Sequence, residues 1–148
     1  MNDVSTVNIV KLDKQDFDKI LPLAVELNPD IKPDIVAQRL RDMLDTSSYT
    51  CFGGYVDGEL VGVCGAWITT RLYSGKQIEL DNGIVKQSLR SQGFGKAFLD
   101  FIQKWAVDNG CAAIELNSYV TNAQGHKFYF SNGFKIIAFH FQRLTKPS

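Results

Sequence analysis

This chain predicts an α/β fold in which helices flank a mixed central sheet, and three observations carry that prediction. Apolar spacing alternates between strand-like and helical periods in the order β-α-α-β-β-β-α-β-α-β. Asp57-Gly58 marks a tight turn between two of the strands, and a mixed sheet accommodates both such hairpins and crossover helices. The 148 residues suffice for one domain (1–148) with a real core and are too few for two comfortable ones.

Residues 7–12 read as a first strand, and Asp13 stands where it can cap the helix behind it. Phe17, Ile20, Leu21, Ala24 and Leu27 recur at helical spacing, with Pro22 expected to kink or split the element. Asn28-Pro29-Asp30 is a turn, and Pro33 suits the first turn of a second helix buried along Ile35, Val36, Leu40, Met43 and Leu44. Three antiparallel strands come next at 49–56, 60–70 and 76–85. The best-defined helix has Phe94, Ala97, Phe98, Phe101, Ile102, Trp105 and Ala106 on one face and stops at Asn109-Gly110. A short strand at 112–116, a helix capped by Asn122 and ended by Asn132-Gly133, and a terminal strand at 134–144 complete the series.

Apolar residues make up 45% and charged residues 22%, the balance of an ordinary soluble globule. Lys plus Arg and Asp plus Glu number 16 each, which weakens any case for non-specific nucleic-acid binding. Cys51, Cys64 and Cys111 are not spaced as metal ligands and leave an odd thiol, the pattern of reduced cysteines in a cytoplasmic protein. The N-terminus has neither the basic nor the apolar region of a signal peptide, and no stretch approaches membrane-spanning length. His126 and His140 are too few and too isolated for a metal site.

The most informative segment runs from Val85 through Arg90-Ser91-Gln92-Gly93-Phe94-Gly95-Lys96. It leaves a strand, turns through a basic and polar loop, and enters the long helix. Two glycines let the backbone pass close to a ligand, and the helix start offers unpaired amides to negative charge. Arg90 and Lys96 can add charge-assisted contacts or stand as plain solvated side chains. A dinucleotide fingerprint wants a further Gly where Phe98 stands, and a phosphate-binding Walker loop wants a hydroxyl where Ala97 stands.

The Arg-x-x-Gly-x-Gly loop resembles the acyl-coenzyme A loop of the Gcn5-related N-acetyltransferases (GNAT). A second motif, Asn122-Ala123-Gln124-Gly125-His126-Lys127-Phe128-Tyr129-Phe130-Ser131-Asn132-Gly133-Phe134, is similar to that family's Asn-x-x-Ala-x-x-x-Tyr-x-x-x-Gly-Phe, with Gly125 in place of Ala. The resemblance covers nearly the whole chain. It implies the acyl-CoA N-acyltransferase fold, with strands 4 and 5 splayed to receive acetyl-CoA. By the same resemblance Ile84 and Val85 offer main-chain groups to the pantetheine arm. Gln92, Gly93, Gly95 and Lys96 surround the diphosphate, where the loop's own chemistry also places the Phe94 amide and Arg90, and Asn122 approaches the cofactor. Tyr129 is the expected general acid or thiolate stabiliser. Glu79 matches the family's proton-accepting residue slightly better than Asp81, which shares its strand face. The plain alternatives are a solvated acidic face for the carboxylates and inner-face packing for Tyr129.

The resemblance also implies transfer of an acetyl group to a primary amine by direct attack in a ternary complex, with no metal and no covalent intermediate. The first two helices and the turn from Arg71 to Lys76 are expected to shape the acceptor side, bordered by Tyr73, Asn117 and Ser118. Glu26, Asp30, Glu79 and Asp81 would give it negative potential and favour a cationic small-molecule or short-peptide amine. A homodimer through the terminal strand is consistent with its large apolar residues, as is core packing. Two further readings stay open: a non-catalytic acyl-CoA-binding or regulatory module, and a structural α/β protein whose loop binds nothing.

Overall fold

The computed structural model describes residues 6–85 and 93–146, with 82–85 described by their backbone. It falls into two compact units, Met1–Glu115 and Leu116–Ser148. The strands β1 (Asn8–Leu12), β2 (Tyr49–Val56), β3 (Glu59–Arg71), β4 (Gly75–Val85) and β5 (Ala113–Leu116) form one sheet in that order. The β1–β2, β2–β3 and β3–β4 pairs are antiparallel, and β5 runs parallel to β4. This is the mixed sheet that the hairpin and crossover signals predict.

Local chemistry accounts for the connections. Asp57 and Gly58, with φ of 50° and 80°, both adopt the left-handed region that a two-residue hairpin with the twist of its strands requires. Before α1 (Phe17–Leu27) the Asp13 carboxylate accepts from the Gln15 amide at 2.8 Å, and the Asp13 amide donates to Asp16 Oδ2 at 3.0 Å. That reciprocal cap closes a short 3₁₀ turn, Lys14–Asp16, which leads directly into the helix. Pro22 does not split α1. It costs the bond to the Asp18 carbonyl, and Asp18 is exposed, so water can take over that role. Pro33 opens α2 (Pro33–Leu44) at its first position.

The pleat divides the sheet into two buried faces. Phe52, Cys64, Ala66 and Ile78 pack against Phe98, Ile102 and Ala106 of α3 (Phe94–Asp108). Cys51 and Val63 point the other way, into a core with Leu12, with Ile20 and Leu23 of α1, and with Leu40 of α2. α3 ends as Asn109-Gly110 predicts. Gly110, at φ 74°, donates to Val107 O at 3.1 Å and Cys111 donates to Ala106 O at 2.8 Å, the paired bonds of a Schellman motif.

β5 begins where the Ala112 amide donates to Lys76 O at 2.7 Å and runs for four residues beside an eleven-residue β4. The two strands therefore run together only over the first part of β4, which leaves its Gly83–Val85 end beyond the reach of β5. One expectation fails. Residues 134–144 form no strand, and Ile136, Phe139 and Phe141 are exposed. A strand needs a ladder partner, and within Leu116–Ser148 the regular structure after β5 is a single helix, α4 (Ala123–Ser131). Among the described residues no helix is long and apolar enough to cross a membrane.

Phe52 is fully buried, its ring 5.6 Å from Phe101 and 5.4 Å from Trp105, both at steep edge-on angles. Phe52→Ala should cost about 3–5 kcal/mol of unfolding free energy in a urea titration, the range for deleting a buried aromatic ring. A loss below about 1 kcal/mol would contradict this assignment of the core.

Candidate active site

β4 carries both carboxylates on the face that α1 and α2 cover, because Ile78 and Leu80 take the face toward α3. Asp81 lies opposite Gly65, and Glu79 lies opposite Trp67. The ladder then shifts from Gly65↔Asp81 to Cys64↔Gly83, so Asn82 is the extra residue of a β-bulge. Trp67 Nε1 donates to Asp81 Oδ2 at 3.0 Å. The Trp67 ring in turn stands 4.8 Å from that of Tyr49, tilted by 56°. A Cβ at Gly65 would overlap the Tyr49 hydroxyl and come within 3.0 Å of the Asp81 carbonyl oxygen, so the missing side chain is what lets these groups meet. The Tyr49 pKa is driven well above its ordinary value, by burial first and then by Cys51 and Asp81, so the hydroxyl stays protonated.

On the same face lies a cavity of about 190 Å³ between α1, α2 and a floor of Tyr49, Cys51, Val63 and Gly65. Neither Glu79 nor Asp81 lines it, but Tyr49 and Gly65 connect it to Asp81. Tyr73, expected at the acceptor side, instead donates its hydroxyl to Glu115 Oε1 on β5 at 2.7 Å.

Arg90 and Gln92, expected at the diphosphate, lie outside the described residues. Ile84 and Val85 lie on the last stretch of β4, in register with Val63 and Gly62. Gly93 is the N-cap of α3 with φ 82°, a left-handed conformation in which glycine alone is unstrained, and no side chain caps the helix. The first helical bond runs from Ala97 N to Gly93 O at 3.1 Å. Phe94, Gly95 and Lys96 therefore have amides without an intrahelical acceptor, and no acidic residue shares their turn. Phe94 is buried and Gly95 exposed. The Lys96 ammonium pairs along the helix with Asp100 at 2.5 Å. That first turn is a ready anion site, made by backbone more than by side chains.

The second unit holds the other motif. Asn122 Oδ1 accepts from the Gly125 amide at 3.1 Å, capping α4. A Cβ at Gly125 would meet the Asn122 side chain as it is placed here. At the far end Phe134 N donates to Tyr129 O at 3.0 Å and Gly133 N to Phe130 O at 3.3 Å, with Gly133 at φ 86°. This is again a Schellman motif, and its hydrophobic contact is the pair of Tyr129 and Phe134 rings, 5.8 Å apart. Tyr129 is half-buried with Phe128 edge-on at 5.8 Å. His126 Nε2 is bonded to the Tyr119 carbonyl at 2.9 Å. No group of metal-ligating side chains occurs among the described residues.

Sequence reasoning gave no site role to Tyr49 or Trp67. Both sit in strands at inward positions, where apolar packing and site building give the same period.

Burial pushes the Cys51 and Cys64 thiols up to about 12 from 9.0. The unfolded chain loses these protons as pH passes 9, while the folded chain keeps them, so the unfolded state binds fewer protons and stability falls between about pH 9 and 12. Urea midpoints should drop across that window and drop less in Cys51→Ala/Cys64→Ala. Equal slopes for the two proteins would refute the assignment.

The family description "Acetyltransferase (GNAT) family" matches residues 17–134, across both motifs. An uncharacterized N-acetyltransferase, YhdJ, of Bacillus subtilis (strain 168) is 26% identical over 131 residues, covering 88% of this chain and 92% of its own. The fold is similar to that of an aminoglycoside N-acetyltransferase in complex with CoA, with TM-score 0.79, 21% identity, and 95% and 97% of the two chains covered. It is also similar to a ribosomal-protein-alanine N-acetyltransferase from Brucella melitensis biovar Abortus 2308, with TM-score 0.80, 22% identity, and 94% and 100% covered. With the match extending over most of its length, the chain belongs to the acetyltransferase (GNAT) family.

Proposed function

We propose that this acetyltransferase moves an acetyl group from acetyl-CoA to a primary amine by direct attack in a ternary complex, working as a single domain. The observation that carries the reading is the first turn of α3, downstream of β4, which has no side-chain cap and no acid among the described residues. Three backbone amides and the positive end of a fifteen-residue helix suit a diphosphate. The end of β4 beyond β5 leaves main chain at Ile84 and Val85 for an amide-bearing arm. Support also comes from the CoA complex of the similar aminoglycoside enzyme.

An alkyl ammonium must lose a proton before it can attack. At pH 7 that costs roughly 4.6 kcal/mol, from a pKa near 10.4 and 1.36 kcal/mol per unit. A carboxylate accepts this proton, directly or through water. Asp81 is the better supported acceptor, because the Trp67 N–H orients its carboxylate beside Tyr49 and the cavity. Glu79, favoured on the resemblance alone, stands two residues away on the same face. The amine nitrogen bonds to the acetyl carbon as the carbon–sulfur bond breaks, and the Tyr129 O–H gives its proton to the departing thiolate. Holding both reactants in place does much of the remaining work.

Tyr129→Phe should lower kcat by about 10²-fold or more while the dissociation constant for CoA stays within about twofold. Asp81→Asn should lower kcat more than Glu79→Gln and lift the alkaline shift that an amine of higher pKa otherwise shows. Full turnover in Tyr129→Phe would remove the acid assignment, and the reverse order of the carboxylate variants would restore Glu79. Gly93→Ala places a Cβ at φ 82° and should cost about 1–2 kcal/mol of stability with weakened CoA binding by calorimetry. CoA binding without amine-dependent thiol release would point instead to a non-catalytic acyl-CoA-binding module.

A further inference from the structure

The cavity between α1, α2 and the sheet has a chemistry that narrows the acceptor. Its walls are Ile20, Ala24, Leu27 and Ile31 on one side and Val36, Leu40 and Met43 on the other. The polar lining consists of Asn28, Arg39, Tyr49 and Cys51. Asn28 Nδ2 donates one of its hydrogens to the Ala24 carbonyl at 3.0 Å, and its amide is neutral. Burial holds the Cys51 thiol and the Tyr49 hydroxyl in their neutral forms. The single permanent charge in the lining is therefore the Arg39 guanidinium, and it is positive. Glu26 and Asp30, expected to make this side acidic, are exposed and take no part in the lining.

Size and polarity together select a ligand. An apolar cavity near 150 Å³ holds a benzene ring, so about 190 Å³ holds a ring or branched chain with a short extension. Ammonium groups of a polyamine or an amino sugar would meet aliphatic carbon and a like charge there, with no carboxylate to pair them. A lone amine at the end of an apolar body meets no such conflict, since its nitrogen lies toward the Tyr49–Asp81 corner and its body fills the cavity.

Resting on the transferase reading, we propose that the acceptor is a compact monoamine with an apolar body, and that Arg39 acts as a specificity residue against polycations. The feature that makes this cavity a binding site, beyond a packing gap, is its floor. Gly65 carries no side chain just where the cavity abuts Asp81, and the Tyr49 hydroxyl, hydrogen-bonded to Cys51, stands against that gap.

Thiol release from acetyl-CoA with 2-phenylethylamine, spermidine and kanamycin tests this directly. 2-Phenylethylamine should show a kcat/KM about tenfold or more above either polycation, the discrimination an apolar pocket supplies for a poorly matched group. Arg39→Glu, at an exposed position, should narrow the gap to spermidine about tenfold with the KM for acetyl-CoA unmoved. Ala24→Met, which projects into the cavity, should raise the KM for 2-phenylethylamine and leave that for acetyl-CoA unchanged. Preference for spermidine or kanamycin, with turnover intact, overturns the inference and spares the transferase reading. Absence of thiol release with every amine, despite CoA binding, overturns both.

Discussion

A carboxylate on the covered face of a sheet must keep hydrogen bonds when it leaves water, and Trp67 supplies one to Asp81. The contact is diagonal: Trp67 stands opposite Glu79, and its indole reaches along β4 to the next residue on that face. Such reach needs a long, rigid side chain with a single donor at its tip, which is what an indole offers. Its flank is held by Tyr49, and the Tyr49 hydroxyl fits because Gly65 has no Cβ. Immediately afterwards the bulge at Asn82 shifts the ladder between β3 and the end of β4 by one residue. One cross-strand bond thus holds the Asp81 carboxylate beside the floor of the adjoining cavity.

The two motif-bearing helices treat their N-termini in opposite ways. α4 satisfies its own first turn, with Asn122 folded over a glycine that leaves it room. Among the described residues α3 has no side-chain cap and no acid there, although capping would stabilise it by about 1 kcal/mol. Leaving that stabilisation unmade is consistent with amides reserved for an outside anion. At their C-termini the helices agree, since both close with a left-handed glycine and the same pair of bonds. In α4 the closing motif also sets Tyr129 against Phe134. The spacing Tyr-x-x-x-Gly-Phe is therefore partly a helix-ending signal, and a reading from spacing alone cannot separate that role from a chemical one.

Local rules made most of the fold legible. The hairpin glycine, the Asp13 cap, Pro33 and the Asn-Gly stops each act within a few residues, so the chain displays them directly. The fifteen-residue apolar stripe of α3 was equally plain. Pro22 does not split the helix because its cost depends on whether the orphaned carbonyl can find water, and periodicity does not report that. The run from Phe134 to Leu144 misled because strand-like composition says nothing about a partner strand. In the site, Glu79 and Asp81 were placed on one face correctly, but the choice between them turns on Trp67, fourteen residues away from Asp81 in sequence.

Net charge was the least useful guide to the acceptor side. Sixteen acids and sixteen bases cancel over the whole chain, yet a binding cavity responds only to charges in its walls. Val36, Leu40 and Met43 form what the sequence presents as the buried stripe of α2, and the same side chains line the cavity. A residue can serve both purposes because water exclusion is the requirement in each case. Arg39, one position before Leu40, falls on the exposed side of the helix and still reaches the lining through its long stem. The proposed selectivity would thus rest on positions that a helical period assigns both to core and to surface.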